Sequence, residues 1–378
     1  MAKAKKKAAW QPLIGLSIGV LTGIVCGFIM ASHLDASLGT DATLGETLAE
    51  LLVMLAALYA AILLQIIIHE GGHLVFGLLS GYRFSSFRVM SFMWVKEGGQ
   101  LKFKHLSIAG TGGQCLMTPP DLVDGNIPVT LYNLGGSLMN VISACIFLIL
   151  HLTSPHIPLL SSWCLMLAVI GFIFALLNGI PIKTATIDND GHNAFALRHN
   201  QEAQRALWVQ LKVNSEVARG IRLKDMPEEW FAIPNDVAMQ NSLVAAVGVF
   251  ACNRLMDRHQ FEEADRLMAH LLQLDSGIAG LHRSLMLCDR IYVELVTQNR
   301  PETVAELLTR EQKRFMKSMK NFPSILRTQY VCALLGEGDI EKAGKIKEKF
   351  EKCAKTYPYP TDIQSERELM EFAEKKPA

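Results

Sequence analysis

The chain has 378 residues, of which 50% are hydrophobic, and its formal net charge at pH 7 is +1. A charge so close to zero, without a basic stripe that carries interleaved aromatic residues, argues against a nucleic-acid partner. The eight cysteines are scattered and include no C-x-x-C pair. They indicate reduced thiols in a membrane and cytosolic protein rather than a disulfide framework.

Apolar residues are concentrated in the first half of the chain. A membrane-spanning helix needs about 20 apolar residues, and four segments reach this length: residues 13–31, 48–79, 129–151 and 159–180. The first of them follows the basic stretch AKAKKK, but its apolar run is too long for a signal peptide and no clean cleavage site follows it. We therefore expect an uncleaved anchor and a polytopic membrane domain over residues 1–196.

The positively charged residues of the loops indicate how the four spans are oriented. The loop between the first and second spans and the loop between the third and fourth spans contain no Lys or Arg, whereas residues 82–128 contain five. Loops rich in Lys and Arg stay in the cytoplasm. We therefore expect a multi-pass protein of the cell membrane with both termini in the cytoplasm.

The loop over residues 82–104 alternates between apolar and polar residues, which is typical of β-strands. Gly98 and Gly99 separate two such runs and predict a hairpin. The next stretch, AGTGGQCLMTPP, is rich in glycine and ends in proline, so we expect irregular backbone there. The prediction is a mostly α-helical chain with one small, membrane-associated β-hairpin.

An ionisable cluster lies inside the second span, in the sequence LLQIIIHEGGHLVFGLLSG. His69 and His73 are four residues apart, so both imidazoles lie on one helical face and can bind the same zinc ion. Glu70 is displaced around the helix, where its carboxylate can act as general base toward a zinc-activated water. The pattern H-E-x-x-H on a helix is typical of zinc metalloproteases.

The alternative interpretation of this cluster is a pair of surface or core histidines beside a solvated glutamate. Unpaired charges are costly at membrane depth, and the preceding apolar run contains few polar groups, so zinc binding explains the cluster better. The sequence leaves the role of Gly71 and Gly72 open. Small residues either allow close helix packing or leave room for a substrate backbone beside the metal.

Catalytic zinc sites usually have three protein ligands and a water molecule, so the histidine pair needs one more ligand. The segment after the fourth span, residues 176–195, contains Asp188, Asp190 and His192. The predicted orientation of the spans brings this segment to the same side of the membrane as the histidine pair. The alternative is an Asx turn at a helix start, formed by the sequence DNDG.

Three features of residues 48–195 together resemble the site-2 protease family of intramembrane zinc metalloproteases. They are His69-Glu70-x-x-His73, Gly136-x-x-x-Asn140, and Asn178-x-x-Pro181 followed by Asp190-Gly191. The resemblance implies that the zinc ligands are His69, His73 and Asp190. It also implies that Glu70 is the base and that Asn178 and Asn140 hold the substrate or the oxyanion.

The chain departs from the family pattern after the fourth span. The gap between Pro181 and Asp190 is a few residues longer than usual, so Asp188 stays an alternative ligand, as does His192. Asp190 is preferred over Asp188 because it precedes a glycine. The helix expected after Gly191 is too polar to span a membrane, whereas many relatives have a further apolar helix there.

Residues 236–378 predict a soluble, all-α domain, which a linker and a helix over residues 197–235 connect to the membrane domain. Three stretches share a pattern at a period near 40 residues, and they begin at Phe261, Pro301 and Asp339. They resemble tetratricopeptide repeats, which stack into a solenoid and often bind peptides. We expect a short solenoid that binds a protein partner or a second copy of the chain. The alternative is a plain helical bundle.

These features predict an intramembrane zinc metalloendopeptidase with one Zn²⁺ per chain, which cleaves a transmembrane or hydrophobic peptide near the cytoplasmic leaflet. The alternative is a catalytically inactive membrane scaffold or peptide-binding protein, in which His192 or His105 completes a closed, structural zinc site. A metal transporter fits less well, because the other spans offer few acidic or histidine residues for an ion path.

Overall fold

The computed structural model describes residues 11–38, 41–108, 111–181 and 189–376, with side chains from residue 17 onwards. In this part of the chain the backbone is mostly α-helical and includes one small antiparallel sheet. The prediction of a mostly α-helical chain is therefore confirmed. The chain divides into two compact units, one formed by residues 1–81 and 128–199 and the other by residues 82–127 and 200–378.

The described residues of the first unit form the helices α1 (Gln11–Ser37), α2 (Leu44–Leu79), α3 (Val129–Thr153), α4 (Pro158–Gly179) and α5 (Asp190–Leu197). The first four are long and apolar enough to cross a membrane, as predicted. Helix α4 packs against α1, α2 and α3, and α5 packs against α3 and α4. Large apolar side chains such as Phe28, Leu52 and Ile149 stay exposed on these helices, which suits a surface solvated by lipid.

A capping box fixes the start of α2. The Thr43 hydroxyl accepts a hydrogen bond from the backbone N–H of Glu46, and the Glu46 carboxylate accepts one from the backbone N–H of Thr43. These two bonds satisfy N–H groups that have no partner within the helix. From this start α2 runs without interruption to Leu79, so the HEGGH motif lies near its carboxyl end.

The second unit begins with four strands: β1 (Arg83–Val89), β2 (Phe92–Glu97), β3 (Gln100–His105) and β4 (Gly113–Thr118). They form one antiparallel sheet in the order β3-β2-β1-β4. The predicted hairpin is confirmed as β2–β3. Gly98 and Gly99 have φ angles of +57° and +84°, which a two-residue turn of this kind requires.

The predicted single hairpin nevertheless accounts for only two of the four strands of the sheet. A turn at Met90, whose φ angle is +54°, divides the first predicted run into β1 and β2. Part of the stretch expected to be irregular forms β4, which pairs with β1 in a register that places Phe87 opposite Cys115. The composition of the stretch does not predict this pairing, because β2 and β3 separate β1 from β4 along the chain.

The sheet groups with the later helices rather than with the membrane-length helices. The first of those helices, α6 (Gln201–Ala218), packs against β4 and β2. Its Ser215 hydroxyl lies 2.7 Å from the Thr118 hydroxyl, and its Trp208 indole donates to the carbonyl of Pro120 at 3.0 Å. The sheet and α6 thus belong to the same compact unit, which comprises residues 82–127 and 200–378.

The remaining helices of the second unit are α7 (Ser242–Asp257), α8 (Phe261–Gln273), α9 (Gly280–Thr297), α10 (Pro301–Leu307), α11 (Arg310–Ser318), α12 (Pro323–Val331), α13 (Ile340–Ala354) and α14 (Pro360–Glu374). Short 3-10 turns cover Leu223–Asp225, Glu228–Phe231 and Ala238–Gln240, and a π-helical turn covers Cys332–Gly336. Helix α7 packs against α8, α9 against α12, and α12 against α13 and α14.

Two of the three predicted repeat helices begin where the sequence places them. Helix α8 begins at Phe261, and Asp339 caps α13 by accepting from the backbone N–H of Lys342. The stretch from Pro301 differs, because it is broken into α10 and α11. Thr309 lies at the break, where its hydroxyl accepts from the backbone N–H of Gln312 and caps the new helix. The resemblance to tetratricopeptide repeats stays a prediction.

Candidate metal centre

Helix α2 presents His69 and His73 on one face, one turn apart. Both side chains are buried, and their Nε2 atoms lie 3.3 Å from each other. This separation follows from the four-residue spacing, which stacks residues i and i+4 on the same side of a helix. Two imidazole nitrogens are therefore available at one point near the end of a membrane-length helix.

Asp190, the first residue of α5, reaches the same point. Its Oδ2 atom lies 3.1 Å from Nε2 of His69 and 3.3 Å from Nε2 of His73. Burial alone would raise the pKa of the Asp190 carboxyl, but the neighbouring His73 and His69 lower it well below its usual range. The group is therefore an anion at neutral pH. His69, His73 and Asp190 form a cluster that could hold a metal ion.

Asn189 and Gly191 fix the position of Asp190. The Asn189 side chain caps α5 by accepting from the backbone N–H of His192, and its amide donates to the carbonyls of Leu177 and Ile180 at the end of α4. A Cβ atom on Gly191 would lie 2.3 Å from the carbonyl oxygen of Gly179. The helix-start turn considered as an alternative is thus made by Asn189, and it delivers Asp190 to the histidine pair.

Hydrogen bonds on the far side of each imidazole fix its tautomer. Nδ1 of His73 lies 2.7 Å from the backbone carbonyl of Tyr132, which can only accept. Nδ1 of His69 lies 2.6 Å from Oδ1 of Asn140. In a neutral imidazole only one nitrogen carries a proton, so each ring, when it is neutral, has a lone pair on Nε2 that faces Asp190.

Gln65 determines which way the Asn140 amide faces. The Gln65 amide donates to the carbonyl of Leu167 in α4 at 2.8 Å, and its own Oε1 accepts from Nδ2 of Asn140 at 2.7 Å. Since Nδ2 of Asn140 points to Gln65, Oδ1 must face His69. A buried chain of hydrogen bonds thus runs from α4 through α2 and α3 to the ring of His69.

Three lone pairs that converge at these distances could hold a cation between them. A proton would form one charge-assisted hydrogen bond of about 2.7–2.9 Å, whereas all three separations among the Nε2 and Oδ2 atoms are 3.1–3.3 Å. Ligands placed tetrahedrally about 2.0–2.1 Å from zinc lie about 3.3 Å from one another. The geometry therefore fits a metal ion of this size.

The backbones of α2 and α3 approach each other closely beside the site. A Cβ atom on Gly72 would lie 2.3 Å from the carbonyl oxygen of Gly135, and one on Gly136 would lie 2.5 Å from Cε1 of His69. Gly72 thus serves close packing of α2 against α3, one of the two roles that the sequence left open. Gly71 faces open space, with no atom within 4 Å of its added Cβ.

The other predicted site residues have different surroundings. Glu70 is buried beside His69, close enough to His73 for an electrostatic interaction. The Asn178 amide donates to the carbonyl of Phe174, one turn earlier in its own helix. His192 lies in the first turn of α5 and is not a member of the three-residue cluster.

The two remaining candidates are Asp188 and His105. Asp188 is among the residues that the structure does not describe. His105 ends β3 in the second unit, where its ring contacts the rings of Phe92 and Phe103.

Sequence reasoning missed Gln65 and predicted that Asn140 holds the substrate or the oxyanion. The structure gives Asn140 a different contact, since its amide oxygen faces a histidine ring. A signal for Gln65 was present: it is a polar residue within an apolar run and stands four residues before His69, one helical turn away. No family model, curated protein or solved structure matches the chain.

Proposed function

We propose that the protein is an intramembrane zinc metalloprotease. The observation that carries the proposal is the convergence of two imidazole lone pairs and one carboxylate oxygen, with the glutamate of an H-E-x-x-H motif beside them. Two nitrogens and one oxygen from His and Asp form a common ligand set of catalytic zinc. Soft thiolate ligands, which would favour copper or iron–sulfur clusters, are not among the three.

An open coordination position supports catalysis over a structural role. Structural zinc sites are closed by four protein ligands, whereas catalytic sites have three and leave the fourth position to water. Within the described residues, no fourth His, Cys, Asp or Glu joins His69, His73 and Asp190. This favours the enzyme over the inactive scaffold, which requires a closed site.

Each residue then has a defined role. Zinc, when bound, acts as a Lewis acid and lowers the pKa of a coordinated water to about 7. Glu70 takes the proton from the attacking water and passes it to the leaving amine. Asn140 and the carbonyl of Tyr132 hold the two imidazoles in the tautomer that leaves Nε2 unprotonated.

The substrate class follows from the position of the site. The cluster lies near the carboxyl end of a membrane-length helix, and the loop that follows this helix is rich in Lys and Arg, so this end belongs near the cytoplasmic leaflet. A substrate there is a transmembrane or strongly apolar peptide. Its helix must unwind before cleavage, because a helix hides its carbonyl groups in hydrogen bonds.

The substitution Glu70→Gln tests the proposal. It keeps the size of the side chain and removes the base, so we expect one zinc per chain and no cleavage. Membrane proteomes of cells that express the wild-type chain, Glu70→Gln, or the control Glu306→Gln are compared for shortened single-span proteins. Glu306 is exposed in α10, so its substitution leaves the cleavage products unchanged. The same products from Glu70→Gln would refute the assignment of the base.

A further inference from the structure

A cavity of about 240 Å³ lies within the second unit, among α7, α9, α12 and α14. Pockets for drug-sized ligands are usually larger, about 300–1,000 Å³, so this volume suits a single side chain. Its apolar lining residues include Phe250, Met286 and Leu369. The small volume and the apolar lining favour a ligand with an aliphatic stem.

The polar residues of the cavity carry more negative than positive charge. Four carboxylates and two guanidinium groups line it: Asp257, Asp289, Asp362, Glu366, Arg222 and Arg327. The two arginines are already engaged by carboxylates. Arg222 binds Asp257 and Glu368, and Arg327 binds Asp289 and Glu366. The arginines therefore leave one carboxylate of the cavity without a cation.

That carboxylate belongs to Asp362. In the described part of the chain no Lys, Arg or His nitrogen lies within salt-bridge distance of it. Burial and the nearby charges of Glu366 and Asp257 raise the pKa of Asp362 to about 7. His282, which also lines the cavity, does not supply the missing charge, because burial lowers its pKa.

Asp362 accepts a hydrogen bond from Tyr357, whereas a second polar group in the cavity has no hydrogen-bond partner. Thr361 is 7% exposed, and its hydroxyl is buried without a hydrogen bond in the structure. Buried hydroxyl groups are nearly always hydrogen-bonded, so such a group needs an explanation. Thr361 and Asp362 are adjacent in the first turn of α14 and line the same cavity. Together they offer a hydroxyl and a carboxylate to one ligand.

An organic cation fits better than a metal ion. Within the described residues, the carboxylates of this cavity do not form a cluster of three ligand atoms close enough to share an ion. The extended cationic head of an arginine or lysine side chain can instead reach separate acceptors, while its methylene stem contacts apolar walls. Guanidinium and ammonium groups carry only donors, which complements these acceptors.

We propose that this cavity binds the side chain of an arginine or lysine presented by a peptide segment of a partner protein. The cation forms a salt bridge with Asp362 and donates a hydrogen bond to the hydroxyl of Thr361. The proposal concerns the helical domain alone and is independent of the metal centre.

The test measures binding of the peptide Ac-Ala-Ala-Arg-Ala-Ala-NH₂ to the full-length protein in detergent by isothermal titration calorimetry. The reference peptide has citrulline in place of arginine, which keeps the shape and removes the charge. We expect the arginine peptide to bind at least tenfold more tightly than the citrulline peptide. Asp362→Asn should weaken its binding at least tenfold, and Thr361→Val several-fold.

The control variant Asp236→Asn removes one exposed carboxylate of the same unit outside the cavity and should bind the peptide like the wild type. Thermal unfolding shows that each variant is folded. Equal binding of the citrulline peptide, or wild-type binding by Asp362→Asn, would overturn the proposal. The same titration is carried out with agmatine, a free guanidinium compound. If agmatine binds as tightly as the arginine peptide, the assignment to a peptide segment is overturned.

Discussion

The substitution Gly136→Ala tests the metal centre through a single methyl group. An added Cβ would lie 2.5–2.7 Å from three atoms of the His69 ring, whereas ordinary contacts between such atoms are about 3.5–4.0 Å. The ring must therefore move by roughly 1 Å. Metal–ligand distances tolerate deviations of only about 0.2 Å, so His69 can no longer serve as a ligand. We expect zinc affinity to fall at least 100-fold, equivalent to about 2.7 kcal/mol.

The assay combines zinc analysis of the purified protein with a competition titration against a chromophoric chelator. Gly71→Ala is the matched control, because it lies on α2 in the same motif and its added Cβ meets nothing within 4 Å. A glycine-to-alanine change in a helix is otherwise stabilising by about 1 kcal/mol, so both variants should fold. Wild-type zinc affinity in Gly136→Ala would show that His69 does not bind the metal where the structure places it.

Three further outcomes are expected. Asn140→Leu removes the acceptor for Nδ1 of His69 and should lower zinc affinity about 10–100-fold in the same titration; unchanged affinity would contradict the tautomer argument. Removal of zinc with a chelator should lower the melting temperature of the wild type more than that of Asp190→Asn, because a ligand stabilises only the state that binds it. Asp362→Asn should raise the free energy of unfolding by up to about 4 kcal/mol above pH 7 and change it little below pH 4. The reason is that folding raises the pKa of this carboxyl from 3.8 to about 7, so the cost of ionising it in the folded state grows across that range. Thermal unfolding at the two pH values measures the difference, and a stability gain that does not grow with pH would contradict the prediction.

The sequence predicted those features that depend on local patterns. The four membrane-length helices follow from uninterrupted apolar runs. The histidine pair follows from a four-residue spacing, and the β2–β3 hairpin follows from Gly98 and Gly99. The assignment of Asp190 as the third ligand was harder to make from local patterns, since Asp190 lies in a different helix from the histidines. Its distance from them supports the choice that the following glycine suggested.

Features that depend on distant residues were not predictable in this way. Strand β4 forms because β1 supplies its hydrogen bonds, although the stretch AGTGGQCLMTPP that contains it is rich in glycine and ends in proline. The division of the second repeat stretch, which begins at Pro301, depends on whether Thr309 caps a new helix or continues the old one, and local sequence allows both. The role of Asn140 also required the fold, because it contacts residues on two turns of another helix.

The chain of buried amides explains why polar groups are tolerated deep in the first unit. Gln65 and Asn140 are fully buried, and an amide transferred from water to an apolar medium without hydrogen bonds costs several kcal/mol. Each amide donates to a fixed acceptor and accepts from the next group, so the sequence of bonds ends at the ring of His69. Its remaining lone pair faces those of His73 and Asp190. The amide chain thus ends at three acceptors, and a cation bound among them would complete its last step.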